Sequence, residues 1–385
     1  MHAGVPPLRP NHALAPAIAQ TATYKFRDTA ELVRYMQGGD PDPHREEYGR
    51  YGNPTVQELE QRMAALEGTE ESLAFASGMS AITTLLLGLT KAGDHVVLFD
   101  DCYRRTRQFV TTVLSRFGVE HTLVPATDLK ALDQAITPKT RVVLSESPSN
   151  PYNHCLDLEE LAAVCRRHGR VRSVVDATFA TPYNCRPAAF GVDLVVHSAT
   201  KYLGGHNDVM GGVVSGPRQL ISLLRETRGV LGGVLDPHAA FLLLRGLRTL
   251  GVRMERQNRS AQAVAMALRA HSKIERVFYA GLVEHPSYPV ASRQLRGAGG
   301  IVSFIVQGGE QAASRLVDHC QLATLASSLG GVETLIEQPR FMSYFELDEA
   351  GLRQVGIDPA LVRLAVGIED TDDIVSDLLH ALDYV

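Results

Sequence analysis

Between residues 71 and 215 short β-branched runs alternate with longer segments of helical periodicity, and few architectures accommodate that pattern. It predicts strands over residues 72–76, 95–99, 120–124, 141–145, 171–175 and 194–197, and helices over 80–88, 104–117, 129–135 and 158–168. Successive strands joined by helices pair in parallel, and a parallel sheet needs helices on both faces. The expected fold class is therefore α/β, a mostly parallel sheet between helices. Ser77, Asp100, Glu146, Asp176 and Ser198 follow the runs directly, at the carboxyl edge where open sheets of this kind bind ligands.

From about residue 241 the texture changes to a long helical stretch through Leu250–Ala270, then segments broken by Gly and Pro (HPSYP, GAGG, QGGE), then a last helix near residues 372–382. At 385 residues the chain is long enough for more than one core. The division expected is an arm over 1–50, which packs on a neighbouring subunit, a large ligand-binding domain over 51–240, and a small α+β C-terminal domain over 241–385. The arm is rich in Pro, His and Gly and shows little periodicity.

Composition removes several function classes. A net charge of -5 gives no general basic surface for nucleic acid or membrane. The five cysteines are odd in number and scattered, so neither a disulfide framework nor a zinc site is expected, and no other metal site. The N-terminus MHAGVPPLRPNH lacks a signal-peptide core, and the longest apolar run, near residues 81–89, is too short to span a bilayer. These features point to a cytoplasmic protein.

The chemistry centres on Lys201, in HSATKYLGGHND, and on Asp176, which ends the apolar run before it. A lysine and a carboxylate at the edge of one sheet suit an aldehyde cofactor, pyridoxal phosphate: the amine forms an imine, and the acid keeps the ring nitrogen protonated. A solvated loop lysine and a helix-capping aspartate are the plainer alternatives. The turn Ser77-Gly78-Met79-Ser80 offers a helix N-terminus to a phosphate, with hydroxyls of Ser198 and Thr200 as further donors. In EYGRYGNPT, Tyr48 and Arg50 form a second phosphate-binding pair. Tyr103 stands where its ring can stack on the cofactor, followed by Arg104, Arg105 and Arg107, whose charges at a helix start suit a bound anion. Arg107 fits a solvated basic face equally well. Ser328, in SSLGG, and Arg363, inside the apolar run VRLAV, are candidate holders of a substrate carboxylate, with Glu369 the structural alternative as partner of Arg363.

Taken in order, YGRYGNPT, SGMSA, DDCYRRT, ESPSNP, VDATFATP, HSATKYLGGHNDV, SLGGVETLIEQP and VRLAVGIED resemble the cystathionine γ-synthase and γ-lyase family of fold type I pyridoxal phosphate enzymes, over nearly the whole chain. The resemblance implies a seven-stranded sheet and a homotetramer of two active-site dimers. It implies that Lys201 carries the Schiff base, Asp176 meets the pyridine nitrogen and Tyr103 stacks on the ring. Gly78, Met79, Ser198 and Thr200 would hold the phosphate, with Tyr48 and Arg50 supplied by a neighbouring subunit. Asn150 would touch the ring hydroxyl, Thr178 would belong to the cofactor site, and Ser328 and Arg363 would hold the substrate α-carboxylate.

Within that family, Arg105 replaces the cysteine of methionine γ-lyases, and GGHNDV, YRRTR and QPRFMSYFEL look most like plant-type cystathionine γ-synthases. Those enzymes use a phosphorylated homoserine, so Arg104 or Arg105 is a candidate partner for a substrate phosphate. Ser327 stands where related synthases and lyases carry a glutamate, which leaves the acceptor nucleophile open. The expected reaction is γ-replacement on O-phospho-, O-acetyl- or O-succinyl-L-homoserine by a thiol such as L-cysteine. A γ-lyase releasing 2-oxobutanoate and ammonia is the alternative, and a cofactor-free binding relative the reading from another class.

Overall fold

All of the runs expected as strands form strands, within one or two residues of the expected ends: β1 (Glu71–Phe75), β2 (His95–Phe99), β3 (Glu120–Val124), β4 (Thr140–Glu146), β5 (Arg172–Asp176) and β6 (Leu194–Ser198). The seventh, β7 (Gly212–Gly216), completes a sheet ordered β1-β7-β6-β5-β4-β2-β3. The computed structural model describes Gly4, residues 12–39 and residues 45–385. In the sheet β7 alone runs against the other strands, pairing antiparallel with β1 and β6. Val96, Val97, Leu98, Val143, Leu144, Val174 and Val175 are buried irrespective of which way they point, because helices cover both faces.

Helices over Gly78–Leu89, Leu129–Ala135 and Leu158–Arg167 match expectation closely. The segment expected as one helix over 104–117 is less regular: an α-helical turn, Arg104–Gln108, passes into a π-helical turn, Phe109–Val113, and a 3₁₀ turn, Leu114–Phe117. The β-branched run Val110-Thr111-Thr112-Val113 falls where the ladder changes, as crowded Cβ atoms favour. Within the arm Thr29–Met36 is a helix whose first turn is capped by the Asp28 carboxylate accepting from the Glu31 N–H at 2.8 Å.

The C-terminal part holds a second sheet of β8 (Ile274–Phe278), β9 (Ile301–Val306), β10 (Thr324–Leu325), β11 (Leu335–Glu337) and β12 (Leu361–Ala365), ordered β10-β11-β12-β9-β8. Only β10 and β11 pair in parallel. Helices Leu250–Ala270, Gly309–His319 and Thr371–Leu382 pack with it. Each sheet has its own apolar core. A third cluster contains Ala199, Tyr202 and Leu203 from around Lys201 together with Ile301, Leu329 and Ala365 from the second sheet and its loops. The Lys201 loop is thus anchored on apolar contacts shared by both sheets.

Candidate active site

A cavity of about 460 Å³ opens where the carboxyl edge of the first sheet faces the second. Gly78, Met79, Tyr103, Asn150, Asp176, Thr178, Ser198, Thr200 and Lys201 all lie on its wall. So do Arg105, Ser328 and Arg363. Sheet topology explains the convergence: β1, β4, β5 and β6 all end on this edge, and each loop leaving them contributes a polar side chain.

Ser77 caps the helix Gly78–Leu89, its Oγ accepting from the Ser80 N–H at 3.0 Å. Among the described residues the N–H groups of Gly78 and Met79 find no acceptor, so two donors at a helix N-terminus remain for an anion. A Cβ at Gly78 would lie 3.0 Å from the Ser198 Cβ, so this turn is packed directly on the end of β6.

Asp176 ends β5 beside Glu146, its register partner on β4. Both of its hydrogen bonds fall on Oδ1, from the Thr178 N–H at 3.0 Å and the Thr178 hydroxyl at 2.5 Å. Thr178 Oγ1 in turn accepts from the Ser198 N–H at 2.8 Å, tying β5 to β6. Burial raises the Asp176 carboxyl, against these hydrogen bonds. Burial and the neighbouring Asp176 and Asp101 charges raise Glu146 well above the usual carboxylate range. Glu146 Oε2 accepts the Tyr103 N–H at 2.7 Å. Two carboxylates side by side at the edge of a cavity call for a cation, and a pyridinium N–H supplies one where Oδ2 of Asp176 has no hydrogen bond among the described residues. The free N–H pair, the hydroxyls and this acid fit pyridoxal phosphate.

Lys201 Nζ donates to Ser328 Oγ at 2.6 Å. Its ammonium is pushed down to about 8 by burial and by the Arg363 charge, with Glu337 opposing. Ser328 has a φ of 85°, a backbone conformation costly for a residue with a Cβ and found where a site needs it. Arg363 Nη2 donates to the Ser328 carbonyl at 2.8 Å and pairs with Glu337 Oε1 at 2.9 Å, while Nη1 donates to Asn150 Oδ1 at 3.3 Å. The carboxylate partner of Arg363 is therefore Glu337, not Glu369. Glu369 instead accepts from the Thr334 N–H and hydroxyl.

Other expected residues fall elsewhere. Asp100 caps no site: its Oδ1 accepts from the Ala126 N–H at 2.9 Å, away from the cavity wall. Arg107 is no solvated basic face, since its Nε is buried and the guanidinium reaches Tyr344. Tyr48 and Arg50 are not on this chain's cavity wall; Arg50 donates to the Gly229 carbonyl at 2.7 Å and lies over the Tyr48 and Tyr51 rings. Sequence reasoning placed Glu146 at the ligand-binding edge without a specific role and did not single out Glu337; both are on the cavity wall. An acid closing an apolar run was the available signal in each case, VVLSE and TLIE.

A family model described as Cys/Met metabolism PLP-dependent enzyme matches residues 1–383. Among curated relatives, cystathionine gamma-synthase 1, chloroplastic, of Nicotiana tabacum is 42% identical over 97% of this chain and 68% of its own length. L-methionine gamma-lyase of Pseudomonas putida is also 42% identical, over 99% of this chain and 96% of its own. The crystal structure of metB from Corynebacterium glutamicum superposes with a TM-score of 0.92 at 36% identity, covering 99% of this chain and 96% of that one.

Proposed function

The chain belongs to the Cys/Met metabolism PLP-dependent enzymes, and from that premise we propose that it catalyses γ-replacement on an activated homoserine with a thiol such as L-cysteine, giving cystathionine or an analogue. The observation that supports this reading best is the presence of two separate cationic groups on one cavity wall. Arg363 stands beside Lys201 and Ser328, and Arg104 and Arg105 stand on the helix that begins after Tyr103. An amino acid with an α-carboxylate and an anionic γ-substituent, above all O-phospho-L-homoserine, has a use for both.

When bound, pyridoxal phosphate supplies an electron sink that makes protons near an amino-acid amine removable. The residues around it divide the remaining work. Gly78, Met79, Ser198 and Thr200 would hold its phosphate, Asp176 its ring N–H and Asn150 its ring hydroxyl, with the Tyr103 ring against its face and Thr178 orienting Asp176. Ser328 and Arg363 would fix the substrate carboxylate. Lys201 Nζ, whose pKa burial lowers to about 8 so that the neutral form is within reach, would take the α-proton, then a β-proton, and return them after the thiol adds. Tyr48 and Arg50 would complete the phosphate site of a second copy in a cytoplasmic homotetramer; among the described residues no helix is long and apolar enough to cross a membrane.

A γ-lyase uses the same residues, and the 42% identity to a methionine γ-lyase keeps that reading in play. The assay that separates them follows 2-oxobutanoate and adduct from phosphoryl, acetyl and succinyl homoserine, with and without cysteine. Thiol is expected to divert flux from oxo acid to adduct. Oxo acid forming unchanged in excess cysteine would sink the synthase reading. Replacing Arg104 and Arg105 together with alanine is expected to depress turnover of the phosphoryl substrate at least tenfold more than that of the acetyl one, roughly the worth of one charge-assisted contact. Equal losses on all three would remove the phosphate role.

A further inference from the structure

Arg363 and Glu337 are direct register partners on β12 and β11, and antiparallel neighbours so placed present their side chains to one another. Both are almost fully buried, at 5% and 2% exposure, and both line the cavity. Glu337 Oε1 and the Ser328 carbonyl already take the two N–H groups of Arg363 Nη2, and Asn150 takes one from Nη1. The second N–H of Nη1 and the buried Nε–H, which has no partner among the described residues, are what remains for an incoming ligand. An entering carboxylate therefore meets a cation whose charge is already matched by an internal acid.

We propose that Glu337 is the residue that sets the affinity of the Arg363 site for an amino-acid carboxylate: it holds the guanidinium in place and, as a second anion beside the bound one, keeps that binding weak. The inference rests on the reading of Arg363 as the carboxylate holder. Geometry and charge separate in the variant Glu337→Gln, whose amide oxygen still accepts from Nη2 while the negative charge is gone. Weak ground-state binding suits a site that must release its product, since tight uniform binding lowers KM without raising turnover.

The test titrates cofactor-loaded enzyme, by its absorbance change, with L-norvaline and with n-butylamine, which is norvaline without its carboxylate. Neither carries a γ-leaving group. E337Q is expected to bind norvaline, relative to butylamine, at least about tenfold more tightly than the parent does, from the removal of a unit charge a few ångströms from the bound carboxylate at the moderate effective dielectric of such sites. A norvaline-to-butylamine preference in E337Q that is unaltered or smaller than the parent's overturns the proposal. Arg363→Met is the control for the underlying reading: it is expected to abolish the preference for norvaline over butylamine, and a preference that survives it overturns both readings. Should E337Q retain no cofactor, Glu337→Asp serves. It keeps the charge but withdraws it from Nη2, so norvaline is expected to bind no more tightly than in the parent, and tightening by tenfold in E337D overturns the charge argument.

Discussion

Among the described residues Lys201 has no carboxylate of its own. Glu337 belongs to Arg363, and what Nζ meets is the Ser328 hydroxyl, so burial and the neighbouring guanidinium press the amine towards its neutral form, with a pKa of about 8 against 10.5 for a free lysine. Only the neutral amine adds to an aldehyde, so a depressed pKa extends reactivity downward in pH. Uptake of pyridoxal phosphate by the cofactor-free protein is accordingly expected to rise with pH about a midpoint near 8, followed by absorbance after rapid mixing. The Glu337 charge favours the ammonium, so E337Q moves that midpoint to lower pH; a midpoint near that of an exposed lysine would refute the assignment. Lys201, Asp176 and Arg363 were legible in the sequence because each is a costly residue in an apolar or glycine-rich setting. Glu337 was legible only as an acid closing the run TLIE, because its meaning lies in a pairing across β11 and β12 that no local spacing reveals.

Strands buried on both faces are the easiest elements to read from a chain like this one, and β2, buried throughout, falls on the expected residues. β7 was missed for a reason visible in its surroundings. Its sequence, GVVSG, is flanked by glycines that read as loop, yet Gly212 is small because the strand passes under the Ser77-Gly78 turn. A Cβ at Gly212 would lie 2.2 Å from the Ser77 carbonyl oxygen and 2.9 Å from the Gly78 Cα, and backbone cannot step aside as a side chain does. Gly212→Ala is expected to displace the Ser77-Gly78 turn, weakening pyridoxal phosphate retention at least tenfold by equilibrium dialysis, at about 1–3 kcal/mol of overpacking. Retention equal to the parent's would mean that the turn does not carry the phosphate. The helix predicted over 104–117 shows the converse limit: apolar spacing located it, but its change of ladder at Phe109 depends on local crowding that periodicity averages away.

The cavity exists only because two sheets with separate cores are held face to face, and the loop after β4 does much of the holding. Ser149, Asn150, Pro151 and Asn153 leave the first sheet and enter the second: the Ser303 hydroxyl donates to the Pro151 carbonyl at 2.7 Å, and Asn150 accepts from Arg363. Asn153 is 1% exposed and donates from Nδ2 to the carbonyls of Phe278 and Ile301, at 3.1 and 3.2 Å, joining β8 and β9 to that loop. Its φ of 56° lies in the left-handed region that asparagine tolerates better than other residues with a Cβ. Asn153→Ala removes the buried donor that these two carbonyls share and adds backbone strain, a loss of about 2–4 kcal/mol. The variant is expected to unfold at a thermal midpoint several degrees lower. Because Asn150 and Arg363 meet across the same junction, it should also raise KM for the amino-acid substrate more than it lowers kcat. A stability loss with KM unchanged would mean that the two sheets keep their spacing without Asn153, and that the substrate-carboxylate site is set by β11 and β12 alone.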